Sequence, residues 1–265
     1  MTRLSPLLRS YDQVILDLDG CVWIGDEAVD GSVEAIAALR ASGKRIVFAT
    51  NNGWHAGEDH VAKLWGIGVQ ASLADVVTVG GAMQHLLVET HSGASAFVIG
   101  TGAMRKHVSD AGLKVMNGTD LAPRAEVVVV SGTDHVHYAD LRDAALAASR
   151  GAAFFATGRD PTLPMPEGHW PGTGAILAAV ETASGRTAEI VGKPSPRLFE
   201  TALDRLGDGR TLVVGDRLDS DIAAAKAAGL DGALVLTGGA PSEPPPDGPQ
   251  PVKVARDLAE LVGAG

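Results

Sequence analysis

Val14-Ile15-Leu16-Asp17-Leu18-Asp19-Gly20 is a short apolar run that ends in two carboxylates one residue apart. In an extended segment, residues i and i+2 point to the same side, so Asp17 and Asp19 crowd each other. Crowded carboxylates are costly unless a cation lies between them or one of them keeps a proton. A buried strand needs neither acid for its packing. The pair therefore points to chemistry, either a metal site or a nucleophile beside an acid/base. A single Asp here would ordinarily read as an Asx turn closing a strand end.

Outward from this run, short β-branched stretches alternate with Ala/Leu-rich stretches of helical period. Strands are predicted over 13–17, 45–49, 76–79, 96–99, 127–130, 153–156, 188–191, 211–214 and 232–236. Helices are predicted over 33–41, 57–65, 82–90, 103–111, 138–149, 174–182, 196–206 and 219–228, with a last short helix over 254–261. Such alternation predicts an α/β fold, a doubly wound parallel sheet covered on both faces. The strands read as continuous apolar runs, as a sheet buried on both sides requires.

In sheets of this kind, ligands bind at the carboxyl ends of the strands. Four strand ends carry chemistry. Asp17 and Asp19 follow the first, Thr50-Asn51-Asn52-Gly53 the second, and Gly192-Lys193-Pro194 the run ending at Val191. Gly215-Asp216-Arg217-Leu218-Asp219-Ser220-Asp221 follows the run ending at Val214. The other strand ends have no comparable set and fall together in the middle of the chain. This divides the sequence into a core, 1–81 and 183–265, and an inserted α/β module, 82–182. The Pro-, Gly- and acid-rich stretch 238–251 reads as a surface loop.

The 265 residues are 45% hydrophobic and carry a net charge of -10. That balance argues against nucleic acid as the main partner, whose phosphates need a basic face. It leaves room for a small anionic substrate, because a bound metal ion reverses the field in one pocket. The single cysteine, Cys21, allows no intrachain disulfide. The broken apolar stretch at the N-terminus lacks the core of a secretory signal, and no apolar run approaches the roughly 20 residues that span a bilayer. The expectation is a cytoplasmic protein with no membrane partner.

Taken in order, these four strand ends resemble the haloacid dehalogenase superfamily of aspartate-nucleophile phosphohydrolases. Thr-Asn-Asn after the second strand and Gly-Asp-Arg-Leu-x-x-Asp in the fourth motif resemble its NagD-like, p-nitrophenylphosphatase-like branch. That branch carries its cap domain where the middle module lies. The resemblance implies a Mg²⁺-dependent phosphatase acting on a small phosphomonoester, glycerol phosphate or phosphoglycolate-like. The alternatives are a nucleotide or sugar phosphatase on the same core, or a non-hydrolytic phospho-acceptor. Asp19 favours phosphate-ester chemistry, since members that cleave carbon–halogen bonds or phosphonates lack an acid there. The inserted module and Asp19 both speak against the phospho-acceptor.

Each residue then takes an expected role. Asp17 attacks phosphorus, and Asp19 protonates the leaving alkoxide and later accepts a proton from water. Asp17 and Asp216 supply carboxylates to Mg²⁺, and Asp19 its backbone carbonyl. Thr50 and Lys193 hold the phosphoryl oxygens, with Gly20, Asn51 and Asn52 nearby. Asp221 orients a metal-bound water or Lys193. Asp219 reads as a helix N-cap, outside the metal site. In the cap, Arg159 could pair with a second anionic group of the substrate, and His169 could face the site. A lid over the site excludes bulk water and macromolecules, and a homodimer through the cap is one allowed assembly.

Some residues depart from the branch pattern. Cys21 stands where a hydroxyl or small apolar residue is usual and reads as a packing residue. Gly53 replaces a Ser common in relatives, which removes one phosphate-loop hydrogen bond. The loop 156–161 lacks the usual Asn. His135 and His137 form a His-x-His pair with no third ligand in view, and they read as a surface turn.

Overall fold

Every residue of the strand Gln13–Leu16 is buried, as a strand covered on both faces must be. The computed structural model, which describes residues 4–165, 168–243 and 245–263, places it inside a six-stranded sheet. The order is Lys253–Ala255, Asp231–Val235, Thr211–Gly215, Gln13–Leu16, Arg45–Thr50, Val76–Thr78. Gln13–Leu16 runs parallel to both neighbours, with Leu16 facing Val214 on one side and Phe48 on the other. Strands later in the chain extend from it in one direction, and the second and third in the other. This is the doubly wound order, whose crevice opens where the direction reverses. Asp17 and Asp216 follow the two strands that flank this point.

The chain separates into two compact units. One comprises Met1–Thr50, Gly57–Val77 and Lys193–Gly265; the other comprises Asn51–Ala56 and Thr78–Gly192. In the first, Leu16, Leu39, Phe48, Leu64, Leu212, Val214 and Leu258 belong to one buried cluster. In the second, a five-stranded sheet runs Glu189–Ile190, Ala153–Ala156, Val127–Val130, Ser95–Ile99, Lys114–Val115, with every pairing parallel. Its four consecutive valines, Val127 to Val130, are fully buried. No helix among the described residues is long and apolar enough to cross a membrane.

Several elements differ from expectation. The helix predicted over 254–261 is a strand, Lys253–Ala255, followed by a helix, Leu258–Val262. Asp257 decides this, since its carboxylate accepts from Glu260 N–H at 2.7 Å and so caps the helix there. Val254 pairs instead with Leu234. The helix predicted from 82 starts at Val79, because Thr78 caps it through Gly81 N–H at 3.1 Å. Gly80 lets that helix lie against His107, whose ring a β-carbon would meet at 2.5 Å. The helix predicted over 219–228 opens with a π-turn, Leu218–Ile222, before Ala223–Ala227. Two antiparallel hairpins were not anticipated: Trp23–Ile24 with Glu27–Ala28, and Thr162–Met165 with Gly168–Pro171.

Candidate active site

Three acids and one base meet at the switch point. Lys193 Nζ lies 2.7 Å from Asp17 Oδ1 and 2.7 Å from Asp221 Oδ1, and 3.4 Å from the carbonyl of Ala49. Oxygens of Asp17, Asp216 and Asp221 all lie within 4.8 Å of one another. The backbone brings them there. Asp17 N–H continues the sheet to Val214 O at 2.9 Å. The π-turn carries Asp221 back, so that its Oδ2 accepts from Arg217 N–H at 3.1 Å. Glycine at 215 is required, because a β-carbon would stand 2.2 Å from Asp221 Cγ.

The cluster is almost dry: Asp221 is 1% exposed, Lys193 3%, Asp216 6% and Asp17 9%. Burial raises the Asp17 pKa well above the ordinary carboxylate value; the Asp221 charge adds to this and Lys193 opposes it. Burial, reinforced by Asp221, pushes Asp216 up to about 6. Burial alone would lower the Lys193 pKa, but Asp17 and Asp221 outweigh it and the ammonium is held above its usual value.

These residues fit a divalent cation. Three buried carboxylates share one ammonium, which leaves negative charge uncompensated. Asp216 Oδ1 is buried with no hydrogen-bond partner among the described residues, whereas Asp221 is committed to Lys193 and Arg217 N–H. An oxygen-only donor set suits Mg²⁺.

Asp19 is exposed. Its Oδ1 accepts from Trp23 Nε1 at 2.9 Å, and Thr50 Oγ1 lies 3.5 Å from its Oδ2. Thr50 itself is 1% exposed. The sequence reading missed Trp23; the available signal was an indole four residues after the second acid.

Other expectations are corrected. Gly20 N–H donates to Trp23 O at 2.7 Å, so it is engaged within the loop and not offered to a phosphate. Glycine is needed there for a φ of +79° and for its approach to Asp216. Asp219 is not an N-cap: it forms a two-point pair with Arg217, 3.1 and 3.0 Å, inside the π-turn. Arg159 is engaged by a two-point pair with Glu181, 2.9 and 2.7 Å, and also reaches Ala188 O at 3.4 Å.

Asn51 and Asn52 group with the second unit. There Asn52 Oδ1 accepts from Trp54 N–H at 3.0 Å, and Asn51 Oδ1 lies where a β-carbon on Gly192 would come within 2.5 Å. Gly53 is explained by Ser131, whose Oγ a β-carbon would meet at 2.6 Å. The side chain of His169 lies outside the described residues. Cys21 is buried, and burial pushes its thiol pKa well up. His135 and His137 join no potential metal-binding group among the described residues.

Comparison with known proteins identifies the family. Residues 14–114 match the family model for haloacid dehalogenase-like hydrolases, and residues 190–261 that for HAD-hydrolase-like proteins. The chain is 38% identical to the D-glycerol 3-phosphate phosphatase of Mycobacterium tuberculosis over 89% of its length, but spans 65% of that protein. It is 35% identical to chronophin of Homo sapiens, over 89% of this chain and 84% of that one. A crystal structure of glycerol phosphate phosphatase from Mycobacterium tuberculosis in complex with magnesium superposes with a TM-score of 0.89. The identity is 36%, with 98% of this chain and 79% of that chain covered. The chain belongs to the haloacid dehalogenase-like hydrolases, in their NagD-like branch.

Proposed function

We propose that the protein is a Mg²⁺-dependent phosphatase that hydrolyses a small phosphomonoester, of the glycerol phosphate or phosphoglycolate kind, through an aspartyl-phosphate on Asp17. The observation that carries this reading is the buried Asp17–Lys193–Asp221 chain beside Asp216, with Asp19 and Thr50 at the carboxyl ends of the paired parallel strands Gln13–Leu16 and Arg45–Thr50. In this reading the inserted module, 82–182, which lies within the second unit, forms the cap, and the protein works in the cytoplasm.

Asp17 and Asp216 would hold the metal, with the carbonyl of Asp19. When bound, Mg²⁺ offsets the repulsion between a phosphate dianion and the carboxylate nucleophile. Lys193 fixes Asp17 Oδ1, which directs the other carboxylate oxygen to phosphorus. Its charge also meets the equatorial oxygens as they gain charge. Thr50 supplies a hydroxyl donor to the same oxygens. Asp19 gives its proton to the leaving alkoxide. In the second step it takes one from the water that attacks the aspartyl-phosphate. Asp221 holds Lys193 and touches no substrate.

The test is inorganic phosphate release from a panel of phosphomonoesters, with and without Mg²⁺. The panel holds glycerol phosphates, phosphoglycolate, pyridoxal phosphate, nucleoside monophosphates, sugar phosphates and p-nitrophenyl phosphate. Multiple turnover that needs Mg²⁺ and vanishes in Asp17→Asn is expected. Absence of turnover by the folded, Mg²⁺-loaded protein on every ester would sink the proposal.

A further inference from the structure

Trp23 is 1% exposed, while Asp19, whose carboxylate it holds, faces solvent. The contact is built into the backbone. Asp19 and Trp23 form an isolated bridge. Gly20 N–H donates to Trp23 O at 2.7 Å, and Trp23 N–H to Leu18 O at 3.2 Å. The chain thus doubles back straight after the second acid and lays the indole against it. Two side chains of the helix Gly57–Gly66 then fix the ring. Lys63 Nζ stands 4.6 Å from its centroid, and the buried His60 ring lies parallel to it at 6.4 Å, 6° between planes. Lys63 is itself tied to Gly25 O at 2.5 Å and to Asp26 at 3.4 Å. A cation over an indole face is attracted by the ring quadrupole.

An indole N–H can only donate. Asp19 Oδ1, at 2.9 Å from Nε1, is therefore an acceptor throughout, and a proton on this carboxyl group resides on Oδ2. Oδ2 is the oxygen near the Thr50 hydroxyl. We propose that Trp23 is a positioning residue for proton transfer: it occupies Oδ1 and presents Oδ2 to the leaving group. The Oδ2 proton moves to the ester oxygen as the P–O bond breaks, which leaves Asp19 ionised. Ionised Oδ2 then takes a proton from the water that opens the aspartyl-phosphate. The inference rests on Asp19 being the acid/base of the proposed phosphatase.

The leaving group separates this role from a structural one. An alkyl phosphate expels an alkoxide that needs a proton, whereas p-nitrophenolate leaves without one. Trp23→Phe keeps an aromatic ring at the site and removes the donor. Its kcat/KM for glycerol phosphate is expected to fall about 10-fold or more, a part of the 10²–10⁴ that general acids contribute. For the alkyl ester the loss should lie in kcat, with KM held, while kcat/KM for p-nitrophenyl phosphate, which reports only the steps up to the aspartyl-phosphate, should change by less than about threefold. Asp19→Asn should show the same discrimination in kcat/KM, enlarged. An equal fall on both esters, or no fall on either, would overturn the inference.

A second readout needs neither activity nor the folding of Trp23→Phe. The chain has four tryptophans. In the metal-free protein, one indole N–H signal in a ¹H–¹⁵N spectrum should move upfield in Asp19→Ala, which lacks the acceptor. Four unmoved signals would overturn the contact. Turnover that persists in Asp17→Asn would instead overturn the proposed function, and this inference with it.

Discussion

A β-carbon on Gly238 would stand 1.7 Å from Asp216 Oδ2, and one on Gly20 would stand 2.5 Å from the same oxygen. The carboxylate is wedged between two backbones that carry no side chains, and Thr237 Oγ1 ties them together by donating to Gly20 O. Gly238→Ala must displace Asp216, at a position where φ itself raises no objection. Loss of a group that orients a ligand typically costs 10–100-fold in metal affinity. The Mg²⁺ concentration giving half-maximal phosphate release should therefore rise by about tenfold or more, and an unchanged requirement would show that Asp216 does not hold the ion. Asp17 and Asp216 were legible because each closes an apolar strand of the six-stranded sheet, where the doubly wound fold puts its ligands; Lys193 was legible from the apolar run 188–191, although its strand, Glu189–Ile190, belongs to the other sheet. Gly238 was not: the sequence shows only the start of a loop rich in Pro, Gly and acids. Trp23 was missed for a related reason, since its role exists only once residues 19–23 fold back on themselves.

Arg159 shows the same limit among elements. It leaves the strand Ala153–Ala156, but its partner Glu181 sits on the helix Thr173–Ser184, and Glu181 also accepts from Ala188 N–H at 2.9 Å just before Glu189–Ile190. One ion pair thus joins three connections of the second unit. A lone loop arginine in a sequence reads as a substrate contact because its partner is 22 residues away. Gly172 and Gly174 complete the junction: β-carbons there would meet Asp160 O at 2.4 Å and Arg159 O at 2.3 Å. Arg159→Ala should cost about 1 kcal/mol in denaturant unfolding, the upper range for a partly exposed pair with two-point geometry. Its KM should equal that of the parent. A tenfold rise in KM at unchanged stability would return Arg159 to the substrate site. Strand–helix alternation made both sheets legible. The hairpins were not, since their strands are only two to four residues long, nor was the strand Lys253–Ala255, whose partner Asp231–Val235 lies across the Pro-rich stretch.

The whole molecule carries the electrostatic cost of its site. Burial holds Asp216 up to about 6 against 3.8 when free, and raises Asp17 as well. Between those values the native state binds protons that the unfolded chain has released, so stability falls as pH rises through that window. Glu126, Glu181, Asp219 and Asp231 are held low by hydrogen bonds from Ser95, Arg159, Arg217 and Tyr11 respectively. They act in the opposite sense, but only below the ordinary carboxylate range. In EDTA, the Tm should therefore be lower at about pH 7.5 than at about pH 5. Mg²⁺, which binds the ionised carboxylates, should raise Tm more at the higher pH. A Tm in EDTA that is flat or rising over this interval would contradict the charge balance derived for the cluster.

The parallel register of Gln13 with Thr211 also bears on how the chain is made. The strand that delivers Asp216 leaves the ribosome 198 residues after the neighbour that delivers Asp17. At 5–20 residues per second, that is a wait of about 10–40 s. During that time the apolar Gln13–Leu16 edge has no partner on that side, while most of the second unit, one continuous stretch from Thr78 to Gly192, has already been synthesised. The segment between these two strands can thus settle before they pair. A stalled or truncated message that stops short of residue 211 would yield a folded centre flanked by sticky, nascent segments, a ready substrate for holdase chaperones and proteases.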